Sequence, residues 1–123
     1  MSATNEPAFD WEQAASLLGD NPNAVDEEMA VIVRELVAGA DVQFEDLKSK
    51  NAETQRKEIG SLAHGLRGCL LNFGFTEVGT LLLQIEKGTY EPSEYPARLE
   101  QARLVFIASR KLLAERYPGI GLT

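Results

Sequence analysis

The sequence is poor in the residues that build metal and redox sites, since its 123 residues contain one cysteine and one histidine. A lone cysteine, Cys69, cannot form an intrachain disulfide, and with one histidine it supplies too few ligands for structural zinc. Because structural disulfides belong to oxidising compartments, this cysteine content favours a reducing, cytoplasmic location.

Basic residues are also scarce, because 12 Lys and Arg are set against 19 Asp and Glu, for a formal net charge of −7. Nucleic acids and anionic membranes attract clustered cations, so neither is expected as a partner. The deficit lies in residues 1–53, with 12 acidic and 3 basic side chains, whereas residues 54–123 carry 7 and 9. A site for an anion is therefore predicted in the second part of the chain.

Long apolar runs are missing as well. No 18 consecutive apolar residues occur, and residues 1–9 lack the basic and apolar regions of a signal peptide, so we expect no membrane span and no export signal. The 44% hydrophobic content suffices for one core. We predict a single domain over residues 8–118 with flexible ends at 1–7 and 119–123.

The sequence does contain five segments in which apolar residues are spaced by three and four positions, the pattern of amphipathic helices. Alternation of period two, typical of strands, is not sustained anywhere. The first two predicted helices span residues 10–18 and 25–47. The third starts between residues 51 and 54 and ends at residue 73. The fourth is capped by Thr76 and stops at Gly88, and the fifth runs from near residue 94 to before Pro118. With short linkers, the expected fold class is all-α, an antiparallel up-and-down four-helix bundle with a short additional N-terminal helix.

The same periodicity predicts which side chains are buried. The second helix is expected to bury Val25, Met29, Ile32, Leu36, Ala40, Phe44 and Leu47. The third is expected to bury Ile59, Leu62, Leu66, Cys69, Leu70 and Phe73. The fourth contributes Val78, Leu81, Leu82 and Ile85, and the fifth contributes Tyr95, Leu99, Ala102, Phe106, Ser109 and Leu113.

His64 lies on the third helix, roughly opposite the centre of its apolar cluster at about 100° per residue, and is therefore predicted outside the core. Its face also holds Lys57, Gly60, Ser61, Arg67, Gly68 and Leu71. Three glycines in this helix, at 60, 65 and 68, together cost on the order of 3 kcal/mol relative to alanine. Close helix packing is one explanation. Room for the active site of a second protein beside His64 is the other, and it is favoured because Gly60 and Gly68 point away from the predicted core.

Arg67 follows His64 by one turn on the same face. A neutral imidazole is a nucleophile near pH 7, and a phosphoryl group attached to it adds negative charge that a fixed cation offsets. The pair therefore predicts a site that carries a phosphoryl group. A solvated surface charge is the ordinary alternative for an arginine, and its spacing from His64 favours the first interpretation.

Residues 62–74, LAHGLRGCLLNFG, resemble the phosphoacceptor helix of histidine-phosphotransfer (HPt) domains, usually written A-H-x-L-K-G-x-x-x-x-x-G. The resemblance covers nearly the whole chain, from the Phe9-Asp10-Trp11 opening to Tyr117. It implies that His64 is the residue phosphorylated and that Gly68 gives steric clearance beside the phosphoryl group.

The resemblance also implies roles for further residues, and the sequence departs from the family pattern at three places. Arg67 replaces the usual lysine and is expected to stabilise the phosphoryl charge, although its planar fork differs from an ammonium group. Glu86 is expected to orient the imidazole ring, with Gln84 as the alternative. Gly65 stands where Thr or Ser is common. The bulky pair Leu70-Leu71 stands where small residues are usual, and Leu71 is either part of a docking patch or an isolated exposed leucine.

The function implied is that of a stand-alone phosphorelay intermediate, which accepts a phosphoryl group on His64 from a receiver-domain aspartate and passes it to another. The expected partners are response-regulator receiver domains and a hybrid sensor kinase, and the chain is expected to be a monomer. It has no phosphate-cradling glycine loop and no metal cluster, so it is predicted to be no enzyme and to bind no cofactor, the divalent metal being on the receiver domain. The expected partner-binding residues are Lys57, Gly60, Ser61, Gly65 and Leu71.

Two other functions fit parts of the sequence. An adaptor or inhibitor would bind a receiver or kinase through the same face without being phosphorylated. A hydrolase would use His64 as a general base, but no Ser, Cys or carboxylate on its face forms an oriented pair with it, and Ser61 lacks an orienting acid.

Overall fold

The computed structural model describes residues 6–122, and in that range the chain is all-helical without a β-strand, as predicted. Residues 1–5 and 123 of the predicted flexible ends lie outside the described residues. The helices are α1 (Trp11–Leu18), α2 (Glu27–Lys48), α3 (Arg56–Leu71), α4 (Thr76–Lys87) and α5 (Tyr95–Arg116). Two short 3₁₀ turns, Pro92–Glu94 and Pro118–Ile120, flank α5.

Local sequence signals account for several helix ends. The Asp10 carboxylate accepts a hydrogen bond from the Gln13 amide at 3.0 Å and begins α1, since a capping side chain satisfies one of the free amides of the first turn. Gly88, with φ of 69°, ends α4 in the left-handed conformation that glycine adopts without strain. The prediction that Thr76 caps α4 is wrong. Thr76 is the first helical residue, Phe75 precedes it as the cap, and the Thr76 carbonyl accepts from the Thr80 hydroxyl.

The core lies where α2, α3, α4 and α5 meet. α3 packs most extensively on α4, α4 packs on α5, and α2 contacts both α3 and α5. Three buried phenylalanines occupy the centre, with the Phe106 ring 5.6 Å from Phe44 and 5.5 Å from Phe75 between centroids. All six residues predicted for the inner face of α5 are buried.

Two predicted apolar faces are confirmed only in part. In α2 the buried residues are Ala30, Val33, Val37, Ala40, Phe44 and Leu47, while Ile32 is 46% exposed. α2 also packs against the Pro118–Ile120 turn, and this contact selects one of two neighbouring apolar stripes. In α3, Cys69 is exposed and Ala63 is buried instead, because the contact with α4 shifts the buried arc of the helix.

Residues 119–122, part of the predicted flexible end at 119–123, are packed against the rest of the chain in the structure. Ile120 is fully buried, the Gly119 amide donates to the Pro22 carbonyl at 2.9 Å, and Arg34 donates to the Ile120 carbonyl at 2.6 Å. Burial of the Ile120 side chain and the pairing of these backbone groups hold the segment against the rest of the chain. Apolar burial is favourable, and a paired carbonyl or amide does not need water as its partner.

Arg56 at the start of α3 holds the chain that follows α4. Its guanidinium donates to the carbonyls of Gly88 at 2.7 Å and Tyr90 at 2.8 Å, and lies 4.6 Å from the centroid of the Tyr90 ring. Hydrogen bonds from a charged donor and stacking on an aromatic face act together here. They fix the end of α4, which carries Glu86, relative to α3.

Ser109 is the one buried polar residue in the core of the described chain, and its hydroxyl has no hydrogen-bond partner there. Ser109→Ala is expected to raise the free energy of unfolding by about 0.5–1.5 kcal/mol, because it removes an unpaired buried hydroxyl and improves helix propensity. Urea unfolding measures the change. Ser61→Ala, at an exposed position of α3, is the control, and only the gain in helix propensity is expected there. A lower free energy of unfolding in Ser109→Ala than in the wild type would contradict an unpaired hydroxyl.

Candidate functional site

His64 lies on the outer face of α3, with 67% of its side chain exposed. Its Nδ1 is 2.9 Å from Oε2 of Glu86, which α4 presents across the α3–α4 interface. The ring's other nitrogen, Nε2, has no hydrogen-bond partner within residues 6–122. The structure therefore brings together His64 and Glu86, and the ring is anchored on one side and open on the other.

Arg67 lies beside the same carboxylate. Its Nε donates to Oε1 of Glu86 at 3.0 Å, so one carboxylate bridges His64 and Arg67 through its two oxygens. The side chains of Arg67 and Glu86 are only 23% and 24% exposed. The sequence placed Arg67 toward a phosphoryl group, and the structure shows it held toward α4.

The charge of Glu86 decides the tautomer of the ring. Burial raises the pKa of the Glu86 carboxyl, but the hydrogen bonds from His64 and Arg67, together with electrostatic attraction to these two side chains, outweigh burial and hold the pKa below its ordinary value. An ionised carboxylate only accepts hydrogen bonds, so Nδ1 must carry the proton. The neutral ring then has its lone pair on Nε2, the exposed nitrogen.

The three glycines of α3 have different surroundings. A Cβ atom at Gly60 would lie 3.2 Å from the backbone carbonyl oxygen of Glu86, so Gly60 allows α3 and α4 to approach closely beside the site. Close packing is therefore the correct explanation for Gly60, against the sequence-based preference for clearance. A Cβ atom at Gly65 or Gly68 would meet nothing within 4 Å, so both leave open space beside His64.

Leu71 does not point outward as predicted. It is half-buried against α4, where a Cβ atom at Gly79 would lie 2.5 Å from Leu71 Cδ2. Gly79 thus makes room for the large residue that stands in α3, and sequence periodicity gave no sign of this pairing because the two helices are in separate segments. Gly60 and Gly79 thus each allow a close contact between α3 and α4.

The remaining predicted contact residues lie on the exposed side of α3. Lys57, Ser61 and Gly65 are exposed or open, and Lys57 and Ser61 line a groove of about 400 Å³ between α2 and α3. Gln84, the alternative partner for the imidazole, instead accepts a hydrogen bond from Arg98 at 3.4 Å. Its side chain is therefore directed to α5, which leaves Glu86 beside His64.

Metal-centre and membrane features are missing from the part of the chain that the structure describes. No group of three His, Cys, Asp or Glu side chains there is arranged to hold a metal ion. None of the helices between residues 6 and 122 is long and apolar enough to cross a bilayer. In comparisons with known proteins, no family model, no curated protein and no solved structure matches this chain.

Proposed function

We propose that this protein is a histidine-phosphotransfer protein of a two-component phosphorelay, with His64 as the residue that carries the phosphoryl group. One observation carries the proposal: His64 is exposed, its Nδ1 is bound to Glu86, and its Nε2 is free within the described chain. A ring held in this way offers a directed nucleophile on the surface rather than a base within a closed cleft. The resemblance of residues 62–74 to the HPt phosphoacceptor helix adds to this.

The proposed reaction is a displacement at phosphorus. The Nε2 lone pair attacks the aspartyl phosphate of a receiver domain, the N–P bond forms as the P–O bond to aspartate breaks, and the electron pair leaves with the carboxylate. The Nδ1 proton stays on the ring, hydrogen-bonded to Glu86. The reverse displacement passes the phosphoryl group to the aspartate of a second receiver domain.

The partner supplies the rest of the chemistry in this proposal. In-line phosphoryl transfer needs positioning and a divalent metal, both assigned here to the receiver domain. The chain contributes the nucleophile and a docking surface. We place it in the cytoplasm as a monomer, with a hybrid sensor kinase upstream and response regulators downstream.

The proposal includes the arrangement of the helices. α2 to α5 form an antiparallel up-and-down bundle, with α1 as the short additional helix. The packing of α2 on α3, α3 on α4, α4 on α5 and α5 on α2 supports this closed order. A bundle places His64 midway along one rigid helix, where a partner can approach its outer face.

The direct test is transfer of label from a panel of phosphorylated receiver domains to the purified protein. Label that is labile in acid and stable in alkali is expected on the chain, because that is the behaviour of a phosphorus–nitrogen bond on histidine. Binding of receivers without any transfer of label would instead support the adaptor function. If no receiver binds the protein and none transfers label to it, the phosphorelay proposal is overturned.

Gly68→Ala separates clearance from helix stability. The variant is expected to raise the free energy of unfolding by about 1 kcal/mol, because its Cβ atom meets nothing and alanine favours the helix. It is also expected to slow transfer from a receiver, since the methyl group enters space that the proposal assigns to the partner. Gly39→Ala on α2, where a Cβ atom also meets nothing, is the control. Transfer by Gly68→Ala at the rate of Gly39→Ala would contradict the clearance role.

A further inference from the structure

Arg67 and His64 occupy neighbouring positions on the surface of α3. Arg67 is three residues after His64, about 60° away on the helical wheel. It lies on the side where Gly60 and Leu71 meet α4. His64 is mostly in solvent, whereas Arg67 is largely covered and spends its Nε hydrogen bond on Glu86. A phosphoryl group on Nε2 would extend outward, away from the carboxylate that holds Arg67.

We propose that Arg67 is a positioning residue that acts on His64 through Glu86. The inference rests on the proposed function and departs from the role that the sequence predicts for Arg67. In the structure Arg67 occupies one carboxylate oxygen and His64 the other.

The hydrogen bonds explain why Glu86 needs Arg67. Within residues 6–122 the carboxylate has two hydrogen-bond partners, His64 and Arg67, and it is mostly covered. Without Arg67, Oε1 of this partly desolvated carboxylate would have no hydrogen-bond donor from the protein. Rotation of the carboxylate toward water would then be favourable, and it would move Oε2 away from Nδ1. Arg67 makes this rotation unfavourable, because it donates a hydrogen bond to Oε1 and its positive charge balances the carboxylate. The lowered pKa of Glu86 agrees with a carboxylate held by two donors.

The first test reads the tautomer of His64 and needs no phosphoryl transfer. Because the chain has one histidine, nitrogen NMR of the imidazole ring reports on this residue alone. The wild-type ring is expected mainly as the Nδ1–H tautomer. Arg67→Ala is expected to lower the ratio of the Nδ1–H to the Nε2–H form about three- to tenfold, the range for coupled neighbours, while Arg67→Lys keeps most of the ratio.

The matched control is Arg110→Ala, which also removes an arginine–carboxylate pair. Arg110 Nη1 lies 2.7 Å from Oδ1 of Asp41, and both residues are far from His64 in the sequence. Its tautomer ratio is expected to equal that of the wild type. An unchanged ratio in Arg67→Ala, in a variant whose circular dichroism shows a folded protein, would overturn the positioning role, whatever the outcome of the transfer experiments.

The second test is a double-mutant cycle on the rate of transfer from one phosphorylated receiver. Arg67→Ala is expected to slow transfer severalfold in the wild-type background and by less than about twofold in Glu86→Ala, because its effect passes through Glu86. The same factor in both backgrounds would show direct action on the phosphoryl group and overturn the inference. A wild-type chain that no receiver labels would refute the proposed function, while the tautomer ratios would still decide whether Arg67 positions His64.

Discussion

Replacing His64 by glutamine is expected to abolish transfer of label from every phosphorylated receiver domain to this protein. An amide nitrogen is not a nucleophile near neutral pH, and no second histidine is present to accept the group. Stability should change by less than about 0.5 kcal/mol, because the side chain is 67% exposed and outside the core. A glutamine amide can also donate to Glu86 in place of Nδ1.

The measurement compares label and receiver binding in wild type, His64→Gln and the control Lys111→Gln, an exposed substitution on α5. Lys111→Gln is expected to behave as wild type in both. His64→Gln is expected to bind receivers with an affinity within a few tenths of a kcal/mol of wild type while gaining no label. Label that persists on His64→Gln would place the acceptor elsewhere in the chain and refute the assignment.

The largest loss of stability is expected for Phe106→Ala. The Phe106 ring is fully buried between Phe44 and Phe75, with centroids 5.6 and 5.5 Å away, and links α2 and α5 to the residue that precedes α4. Truncating a phenylalanine in such a core costs about 3–5 kcal/mol, through lost transfer energy and the cavity that remains. Small domains have about 5–15 kcal/mol in total, so the substitution is expected to remove a large part of the stability of the protein.

Leu104→Ala is the matched control, two residues away on the same helix and 53% exposed. Its free energy of unfolding, measured by urea titration, is expected to stay within about 0.5 kcal/mol of wild type. Equal losses in the two variants would mean that the inner face of α5 has been assigned to the wrong side. The pair therefore tests the buried stripe directly.

The helices were predictable because their signals are local. Asp10 before α1, Gly88 after α4 and the stripe of α5 act within a few residues, and each is found where the sequence places it. Local signals fail where two stripes compete. Val33 is buried in α2 while Ile32 remains exposed, since packing against the C-terminal turn selects between neighbouring residues of similar hydrophobicity.

The same distinction holds at the site. The exposure of His64 follows from its position opposite the apolar side of α3, so spacing alone predicts it. The direction of Arg67 does not, because a flexible side chain takes the partner that a neighbouring helix offers. Clearance was preferred over close packing for Gly60 for the same reason, since the backbone oxygen that Gly60 accommodates belongs to Glu86 on α4.

The amino-acid sequence by itself determined that the described chain is helical, where most helices begin and end, and that its one histidine lies outside the core. Periodicity and capping are properties of neighbouring residues, so a linear reading contains them. Only the tertiary structure decided the close contacts between α3 and α4 at Gly60 and Gly79, and the use of both Glu86 oxygens. Glu86 is 22 residues from His64, and their 2.9 Å contact exists because two helices pack, which no local spacing encodes.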